Sequence, residues 1–286
     1  MALVSGGIGI DVGATKVAVA LIDSATGTVR RSESFPTSMG VGPQAVLDAC
    51  ITLCERFARG EPVAAIGVGV CEIVSPDGAI TSASSIDWRD LDIVGSLSHV
   101  APTRVESDVR AAALGEAVYG AGRGLASFLY VNAGSGTSSC LVIDGTPLAG
   151  ARGAAILIGA GPLDAEATAG GIGIAKRFGA PTAVDVSRAS QAGDRRASEI
   201  LQSGGKALGE AIAFSVNLLD PEAVILGGGV GLNEGEYRAA LESGMRGHIW
   251  LEETRDLPLL AAELGEQAGV VGAARAALDH APVGAA

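Results

Sequence analysis

Aromatic side chains, histidine and cysteine are all scarce in this chain of 286 residues. Aromatic residues make up only 3% of it, and it has three histidines and four cysteines. No two cysteines form a Cys-x-x-Cys pair and the spacings typical of zinc ligands are missing, so the sequence predicts no zinc site. Cys50 and Cys54 lie one helical turn apart on an apolar face. We therefore expect them to pack in the core rather than to bind metal.

Long apolar runs are also missing. No segment reaches the ~18 consecutive apolar residues of a membrane-spanning helix, and no charged-then-apolar leader opens the chain. The few cysteines do not form the dense framework of a small secreted domain. These features predict a reduced, soluble, cytoplasmic protein with no membrane partner.

The chain has fewer basic than acidic residues. Twenty Lys and Arg residues face 32 Asp and Glu residues, which gives a formal net charge of −12. An acidic surface argues against general binding to nucleic acid or to anionic membranes. It does not exclude ATP, because a local cluster of backbone amides can hold phosphates inside a negatively charged protein.

Small and aliphatic residues are abundant instead. Hydrophobic residues make up 48% of the chain, and glycine contributes 42 residues. Short apolar runs such as residues 65–70 and 223–226 alternate with periodic segments such as residues 43–59. Buried strands that alternate with amphipathic helices predict an α/β architecture, and the length leaves room for two medium domains.

The first chemical motif is a turn between two apolar strands near the start of the chain. The run Ile8–Ile10 ends in Asp11, and Gly13, Thr15 and Lys16 follow before a second apolar run begins. Glycine lets the backbone turn tightly and lets a bulky anion approach the amides. The hydroxyl can donate to a phosphate, and the aspartate offers a hard oxygen ligand for hydrated Mg²⁺. The motif predicts a turn that binds phosphate and magnesium.

The same unit recurs in the middle of the chain. Residues 10–23 align without a gap over residues 131–144, so Gly13 falls on Gly134 and the Asp that ends the first segment falls on the Asp that ends the second. The residues of the second turn that suit phosphate binding are Gly134, Gly136 and Thr137. An internal repeat of a strand–turn–strand unit predicts two similar halves.

Two further features complete the pattern. The buried strand at residues 223–226 runs into a third glycine turn at residues 227–229. Between the two hairpins, Asp108 lies where a strand ends and an Ala-rich helix begins. The dipole and free amides of a helix start favour the ionised form of such a carboxylate, which suits a group that accepts a proton.

In this order and spacing, the motifs resemble those of the ROK sugar kinases, within the larger actin-like and hexokinase-like ATPase superfamily. The resemblance covers almost the whole chain. The matching segments are residues 11–16 for the first phosphate turn, 132–137 for the second, 226–229 for the adenosine-side glycine turn and 107–116 for the segment with the catalytic Asp.

The resemblance implies a fold of two similar ribonuclease H-like α/β halves with a central cleft. We expect an N-terminal domain over residues 1–115 and a C-terminal domain over residues 116–265. The C-terminal helix, about residues 266–286, is expected to pack back on the N-terminal domain. A homodimer is also implied by the resemblance.

The resemblance further implies an ATP-dependent reaction in which Asp108 takes the proton of the attacking sugar hydroxyl. Asp11 would hold Mg²⁺, directly or through water, and ATP and Mg²⁺ would be the cofactors. The residues expected to bind nucleotide are Asp11, Gly13, Thr15, Lys16, Gly134, Gly136, Thr137, Gly227 and Gly228. The residues expected to contact the acceptor are Ser107, Asp108, Glu166 and Glu72.

The sequence departs from the family pattern on the acceptor side. The family's Glu-x-Gly-His motif is missing, with Ile156 interpreted as standing at the Glu and Gly159 at the His. The Cys-rich zinc segment that commonly follows is absent, and Ser107 replaces the Asn before the catalytic Asp. Glu166 matches a sugar-binding Glu of the family. A site that has lost hydrogen-bonding partners rejects the substrate they served, so glucose is not the expected acceptor.

Glu72 suggests an alternative acceptor. It follows the strand at residues 65–70, where the family usually has a small Pro-Gly turn. A carboxylate there would face an ammonium group of an aminohexose such as 3-amino-3-deoxyglucose (kanosamine), or of a related cyclitol; a residue that points to solvent is the other interpretation. The competing functions are a glucose, cyclitol or N-acetylmannosamine kinase and a non-catalytic sugar-binding or regulatory protein.

Overall fold

The computed structural model describes residues 6–37, 42–161 and 164–280. Its strands are β1 (Gly6–Val12), β2 (Lys16–Asp23), β3 (Val29–Pro36), β4 (Val63–Val70), β5 (Thr103–Ser107), β6 (Ser127–Ala133), β7 (Thr137–Ile143), β8 (Thr146–Pro147), β9 (Ala223–Gly227) and β10 (Leu259–Ala261). Its α-helices are α1 (Pro43–Ala58), α2 (Ile93–Leu97), α3 (Asp108–Tyr119), α4 (Ala165–Ala169), α5 (Gly171–Phe178), α6 (Ala183–Gln191), α7 (Arg195–Leu219), α8 (Glu236–His248) and α9 (Ala268–Leu278). Within these described ranges, none of the helices has the length and apolar character needed to cross a lipid bilayer.

The strands form two mixed sheets with the same topology. The order is β3-β2-β1-β4-β5 in the first sheet and β8-β7-β6-β9-β10 in the second. Strand β1 pairs antiparallel with β2 and parallel with β4, and β6 pairs antiparallel with β7 and parallel with β9. This repetition confirms the prediction of an α/β fold with two similar halves.

The two hairpins differ by one residue in their turns. Val12 pairs with Val17 in the first hairpin, whereas Ala133 pairs with Thr137 in the second. The gap-free alignment of the two segments is therefore correct up to the glycine of each turn and wrong beyond it. The structural equivalent of Asp23 is Ile143, because the shorter second turn shifts the returning strand by one residue.

The chain divides into two compact units. The first comprises Met1–Arg123, Gly145–Ala155 and Gln267–Ala286, and the second comprises Gly124–Asp144 and Ile156–Glu266. The first unit thus extends beyond the expected boundary at residue 115. It also includes the short segment Gly145–Ala155, which the predicted boundary at residue 116 places in the second domain.

The buried side chain of Arg110 explains why that short segment belongs to the first unit. Arg110 is 2% exposed and donates hydrogen bonds to the carbonyl oxygens of Gly153 (2.9 Å) and Val74 (2.6 Å). It also forms an ion pair with Glu106 near the end of β5. Because a buried guanidinium needs partners for its donors, these contacts fix the segment around Gly153 against α3.

Helix α9 lies directly on the first sheet because glycines face it. A Cβ on Gly9 would lie 1.8 Å from the carbonyl oxygen of Val270, and one on Gly67 would lie 1.7 Å from that of Ala273. Any side chain at these glycines would force the helix away from the sheet. The close packing places the first residues of α9 at the carboxyl end of β1.

Each unit has its own apolar core. In the first unit, α1 packs on the sheet with Cys50 and Cys54 buried at 3% and 0% exposure, which confirms their predicted role in packing. Trp88 belongs to the same core cluster. In the second unit, α7 and α8 pack closely because Gly205 and Gly209 leave room for the backbone of α8.

Candidate active site

The carboxyl ends of three neighbouring parallel strands meet at one edge of the first sheet. Strand β4 lies between β1 and β5, with Asp11 opposite Gly69 and Gly69 opposite Glu106. Asp108 follows as the first residue of α3. A Cβ on Gly69 would lie 3.5 Å from the Asp108 Cα. The topology therefore brings Asp11 and Asp108 together at one sheet edge.

Asp11 is a half-buried carboxylate that lies against the start of α9. A Cβ on Gly269 would be 2.3 Å from Oδ2 of Asp11, so the carboxylate occupies the space that a larger residue at 269 would need. Burial raises the pKa of Asp11 to about 6, and the positive charge of Lys16 only partly opposes this increase. A carboxylate that is costly to ionise in the free protein gains from a bound cation, which compensates its charge.

The pKa of Asp108 is raised to about 7, which is higher than that of Asp11. Burial is the largest cause, and the negative charge of Asp11 adds to it. A hydrogen bond of 2.6 Å from the Val109 N–H to Oδ1 lowers the pKa but does not cancel these effects. The expectation that the helix start favours the ionised form is therefore wrong in its net result, because desolvation outweighs the amides.

The turn after β1 is held by its backbone. The Gly13 N–H donates to the Lys16 carbonyl at 3.0 Å, and the Thr37 hydroxyl donates to the Gly13 carbonyl at 2.7 Å. The Thr37 N–H donates to the Thr15 carbonyl at 3.1 Å. The side chains of Thr15 and Lys16 are exposed. The turn thus presents its hydroxyl and its cation on the surface, where a phosphate group can reach them.

Ser107 lies beneath the surface of the first unit. It is 0% exposed, and its hydroxyl has no hydrogen-bond partner within the described part of the chain. Its N–H donates to Oε1 of Glu106 at 2.8 Å. A contact between Ser107 and a substrate needs a hydroxyl at the surface. In this structure the Ser107 hydroxyl is buried and cannot make that contact.

Glu72 holds a loop rather than facing a ligand. It is 3% exposed, and its Oε2 accepts hydrogen bonds from the Ser82 hydroxyl and from the Ser84 N–H (2.7 Å). Its Oε1 accepts from the N–H groups of Ser85 (2.6 Å) and Ile86 (3.1 Å). Both interpretations from the sequence, a carboxylate beside a substrate ammonium group and one that points to solvent, are wrong. All four acceptor positions of the carboxylate are used by the loop.

These contacts also set the charge of Glu72. Burial raises its pKa, but the hydrogen bonds from Ser82 and from the three backbone N–H groups together lower it below the usual value. The residue therefore stays ionised, and the stability it contributes is present at neutral pH and is lost as pH falls through its lowered pKa.

Replacing this carboxylate tests its structural role. We expect Glu72→Gln to lower the free energy of unfolding by about 2–4 kcal/mol, because an amide NH₂ would face backbone donors. The measurement is urea unfolding at pH 7.5. Glu199→Gln is the matched control, since Glu199 lies on the surface of α7 and, among the residues that the structure describes, pairs with Arg195 alone. An equal, small effect of the two substitutions would contradict the role assigned to Glu72.

In the second unit, Glu166 in α4 packs against the turn between β6 and β7. The Gly134 N–H donates to the Gly136 carbonyl at 3.0 Å and closes the turn. The N–H and the hydroxyl of Thr137 both donate to Oε2 of Glu166, at 2.7 and 2.8 Å. The structure therefore brings the residue predicted to bind sugar into contact with the turn predicted to bind phosphate.

The third glycine turn packs against the end of β6. Gly228 has a φ of 81°, and a Cβ there would lie 2.4 Å from the carbonyl oxygen of Ala133. A Cβ on Gly227 would lie 2.3 Å from the Tyr130 hydroxyl oxygen. Both positions thus require glycine for conformation or space. Without side chains, the backbone of this turn stays accessible, as the predicted adenosine contact requires.

The structure corrects the register of the missing Glu-x-Gly-His motif. Ile156 is 6% exposed, and its carbonyl accepts from the Ser139 N–H at 3.1 Å. A Cβ on Gly159 would lie 2.2 Å from the Thr137 hydroxyl oxygen, so no histidine fits there. Aligning Gly159 with the Gly of the motif instead puts Leu157, which is 52% exposed, at the Glu and Ala160 at the His. The loss of both polar groups stands, but at different residues.

The predicted magnesium ligand fits the residues present. In the described ranges, no group of three or more His, Cys, Asp or Glu side chains lies close enough to hold a metal ion by itself. In phosphate sites, Mg²⁺ usually takes one or two carboxylates together with phosphate oxygens and water. Asp11, whose carboxylate gains from a cation, matches this one-carboxylate pattern.

Two residues with clear roles are not evident from the sequence. Arg110 in α3 follows Glu106 in β5 by four residues, and because Glu106 is not in the helix this spacing predicts neither the ion pair nor the carbonyl contacts. Gly269 is one of many glycines in an Ala-rich helix, and only the space around it shows why it is glycine, since a Cβ there would lie 2.3 Å from Oδ2 of Asp11.

The duplicated sheet topology, with a glycine turn after the first strand of each half and a carboxylate at the sheet edge, defines the actin-like ATPase class of α/β proteins. The family model of the ROK family matches residues 7–280. The chain therefore belongs to the ROK family.

Several relatives of known identity are similar to the chain. The N-acetylmannosamine kinase of Shigella boydii is 30% identical over 93% of this chain and 96% of that protein. A ROK family glucokinase from Streptomyces griseus, solved with glucose and AMPPNP, is 26% identical with a TM-score of 0.83, over 96% of this chain and 100% of that one. The bifunctional enzyme NanE/NanK of Brucella melitensis is 32% identical over 96% of this chain, which spans only 54% of that protein.

Proposed function

We propose that the protein is an ATP-dependent carbohydrate kinase that phosphorylates the primary (6-) hydroxyl of a hexose-like acceptor. The observation that carries the proposal is Asp108, a half-buried carboxylate at the first position of α3 whose pKa is raised to about 7. A base with a pKa near the working pH is well suited to take a proton from an alcohol. Similar glucokinases and N-acetylmannosamine kinases support the same chemistry.

In the proposed reaction, an acceptor oxygen attacks the γ-phosphorus of ATP. The new O–P bond forms as the bond between the γ-phosphorus and the β–γ bridging oxygen breaks, and ADP leaves. The hydroxyl proton passes to the carboxylate of Asp108. Asp11 would hold Mg²⁺, which neutralises phosphate charge when bound. Because the reaction consumes ATP, we propose the cytoplasm as its compartment.

The proposed class of acceptor follows from the polar and apolar side chains of the second unit near the second phosphate turn. Leu157 and Ala160 replace the Glu and His of the family motif, so the partners that serve two hydroxyl groups are missing. Glu166 is exposed, and its Oε1 has no hydrogen bond to other residues of the described ranges, whereas Oε2 is bound by Thr137. An aminohexose such as 3-amino-3-deoxyglucose remains our proposed acceptor, with Glu166 rather than Glu72 as the carboxylate for its ammonium group.

A screen of ATP consumption tests this function. We would measure ADP release with Mg²⁺ and glucose, glucosamine, 3-amino-3-deoxyglucose, N-acetylmannosamine or a cyclitol. The proposal predicts turnover with at least one acceptor and the highest kcat/KM for the aminohexose. Turnover with none of them would favour a non-catalytic sugar-binding protein, for which the loss of the Glu-x-Gly-His motif is the supporting observation.

The pH dependence of activity follows from Asp108. Only the deprotonated carboxylate accepts a proton, so we expect kcat/KM to rise with pH up to a plateau, with a midpoint near the pKa of about 7. Asp11→Asn removes the second largest cause of the raised pKa and should move the midpoint of any residual activity to lower pH. The measurement is kcat/KM between pH 5 and 9. A profile that is flat below pH 7 would contradict the assignment of the base.

We further propose that the protein is a homodimer that pairs through an apolar patch of Phe214, Leu218 and Trp250. These side chains are 71%, 70% and 82% exposed. The Trp250 N–H donates to Asn217 Oδ1 at 2.9 Å, which ties the loop after α8 to α7. A second copy is the proposed occupant, because two copies with a net charge of −12 repel each other overall, and an uncharged apolar patch adds nothing to that repulsion.

Charge placed in the apolar patch should separate the copies. We expect Trp250→Glu to convert the dimer to a monomer in light scattering after size exclusion, with unchanged circular dichroism. Val94→Glu is the control, since Val94 is also exposed, at 44%, but lies in α2 of the first unit. A wild-type monomer, or a Trp250→Glu dimer, would contradict the proposed interface.

A further inference from the structure

We infer that Glu166 is a positioning residue that fixes the second phosphate turn, in addition to any contact with the acceptor. This inference rests on the proposed kinase function. Its basis is the pair of hydrogen bonds from Thr137 to Oε2 of Glu166, 2.7 Å from the N–H and 2.8 Å from the hydroxyl. Thr137 is 8% exposed, so both donors would be costly to leave unpaired.

The surrounding glycines are shaped to admit this carboxylate. A Cβ on Gly136 would lie 2.4 Å from Oε1 of Glu166, and one on Gly159 would lie 2.9 Å from its Oε2. Neither glycine has a positive φ. Their lack of a side chain is therefore explained by space for Glu166 and Thr137, not by backbone conformation.

Two backbone hydrogen bonds attach the same helical region to the turn. The Gly171 N–H donates to the Gly134 carbonyl at 2.8 Å, and the Ile172 N–H donates to the Ser135 carbonyl at 2.9 Å. With Glu166 in the first turn of α4, the segment from α4 to the start of α5 contacts every part of the turn. A movement of α4 must then change the shape of the turn or break these bonds.

The two donors of Thr137 indicate how Glu166 acts on the second phosphate turn. The Thr137 N–H and hydroxyl point at Glu166, so they serve the shape of the turn rather than a phosphate oxygen. Glu166 sets this shape before nucleotide arrives, which lowers the cost of ordering the turn on binding. If an acceptor also binds Oε1 of Glu166, acceptor and nucleotide must change each other's affinity by the same factor.

A double-mutant cycle tests the inference without any acceptor. The Kd of AMPPNP with Mg²⁺ is measured by calorimetry for wild type, Glu166→Ala, Thr137→Val and the double variant. We expect Glu166→Ala and Thr137→Val each to raise the Kd at least about fivefold, the size of one lost hydrogen bond. The double variant should match Glu166→Ala alone, because the Thr137 hydroxyl then has no partner. Thr137→Ser and Glu166→Gln keep an acceptor–donor pair and should stay within about twofold of wild type.

The outcomes separate this inference from the function itself. Additive effects would mean that Thr137 contacts phosphate directly, and an unchanged Kd for Glu166→Ala would mean that Glu166 serves only the acceptor; either result overturns the inference. A wild-type protein that does not bind AMPPNP would overturn the proposed kinase function as well. Thermal unfolding of each variant, with Glu199→Gln as the surface control, shows that the changes in Kd do not arise from unfolding.

Discussion

Asp108→Asn should reduce kcat by about 10²- to 10⁴-fold, the range typical of a lost general base. An asparagine keeps the size of the side chain but cannot accept the proton of the attacking hydroxyl. The Kd of AMPPNP should stay near the wild-type value, because Asp108 acts on the acceptor and not on the nucleotide. The measurements are initial rates with the best acceptor and calorimetry with AMPPNP and Mg²⁺.

The same substitution should make the free protein more stable above pH 7. The pKa of Asp108 rises from 3.8 in the unfolded chain to about 7 in the folded one, so the folded state disfavours the ionised form. Stability that protonation provides is complete below pH 4 and is lost as pH rises through 7. Because Asp108 is partly exposed, we expect Asp108→Asn to recover on the order of 1–3 kcal/mol at pH 8.

Lower activity together with higher stability distinguishes a lost base from a damaged fold. Val109, the next residue in α3, offers a control: Val109→Ala should lower stability, because Val109 is buried, and leave kcat largely unchanged. Wild-type turnover in Asp108→Asn, or a joint loss of stability and nucleotide binding, would contradict the assignment.

Gly269→Ala should reduce kcat/KM for ATP by about 10²-fold, the penalty expected for a displacement of about 1 Å in a catalytic group. The new methyl group would lie 2.3 Å from Oδ2 of Asp11, so the carboxylate must move away from the start of α9. The three nearest atoms all belong to the Asp11 carboxyl group, so a rotation of that side chain can relieve the clash without a shift of the backbone. Thermal stability should therefore change little.

Gly247→Ala is the matched control for this substitution. Gly247 lies within α8, and a Cβ there meets nothing within 4 Å. It should leave activity unchanged and stabilise the helix slightly, since alanine favours helix over glycine by about 1 kcal/mol. A dependence of activity on Mg²⁺ concentration that is the same in Gly269→Ala and wild type would contradict the role assigned to the Asp11 carboxylate.

The sequence predicts the two hairpin turns and the residues in them because local patterns encode them. Asp11 and Gly13 lie between two apolar strands, and a glycine turn after an apolar strand has few alternative conformations. Asp108 is singled out by its place between a strand and a helix, and the resemblance to the ROK sugar kinases implies its role as base. Its pKa is not predicted, because the balance between desolvation and the helix amides depends on burial by other segments.

The roles of the residues predicted to bind the acceptor are difficult to predict, because these residues contact partners that are far away in the sequence. Glu72 is interpretable only when the loop that binds it, ten or more residues later in the chain, is seen. Glu166 likewise pairs with Thr137, 29 residues earlier. The predicted register of the missing family motif is wrong by one residue, and the lack of space at Gly159 shows the error.

We propose that this chain transfers the γ-phosphoryl group of ATP to a primary sugar hydroxyl with Asp108 as base. Proton-coupled ³¹P NMR of a reaction with ATP, Mg²⁺ and 3-amino-3-deoxyglucose tests it most directly. With wild type, we expect ADP and a phosphate ester whose signal is a triplet, split by the two protons of the 6-carbon; with Asp108→Asn, we expect at most about a hundredth of that ester over the same initial period. Inorganic phosphate as the only product, a doublet from a secondary ester, or an equal ester signal from Asp108→Asn would contradict it.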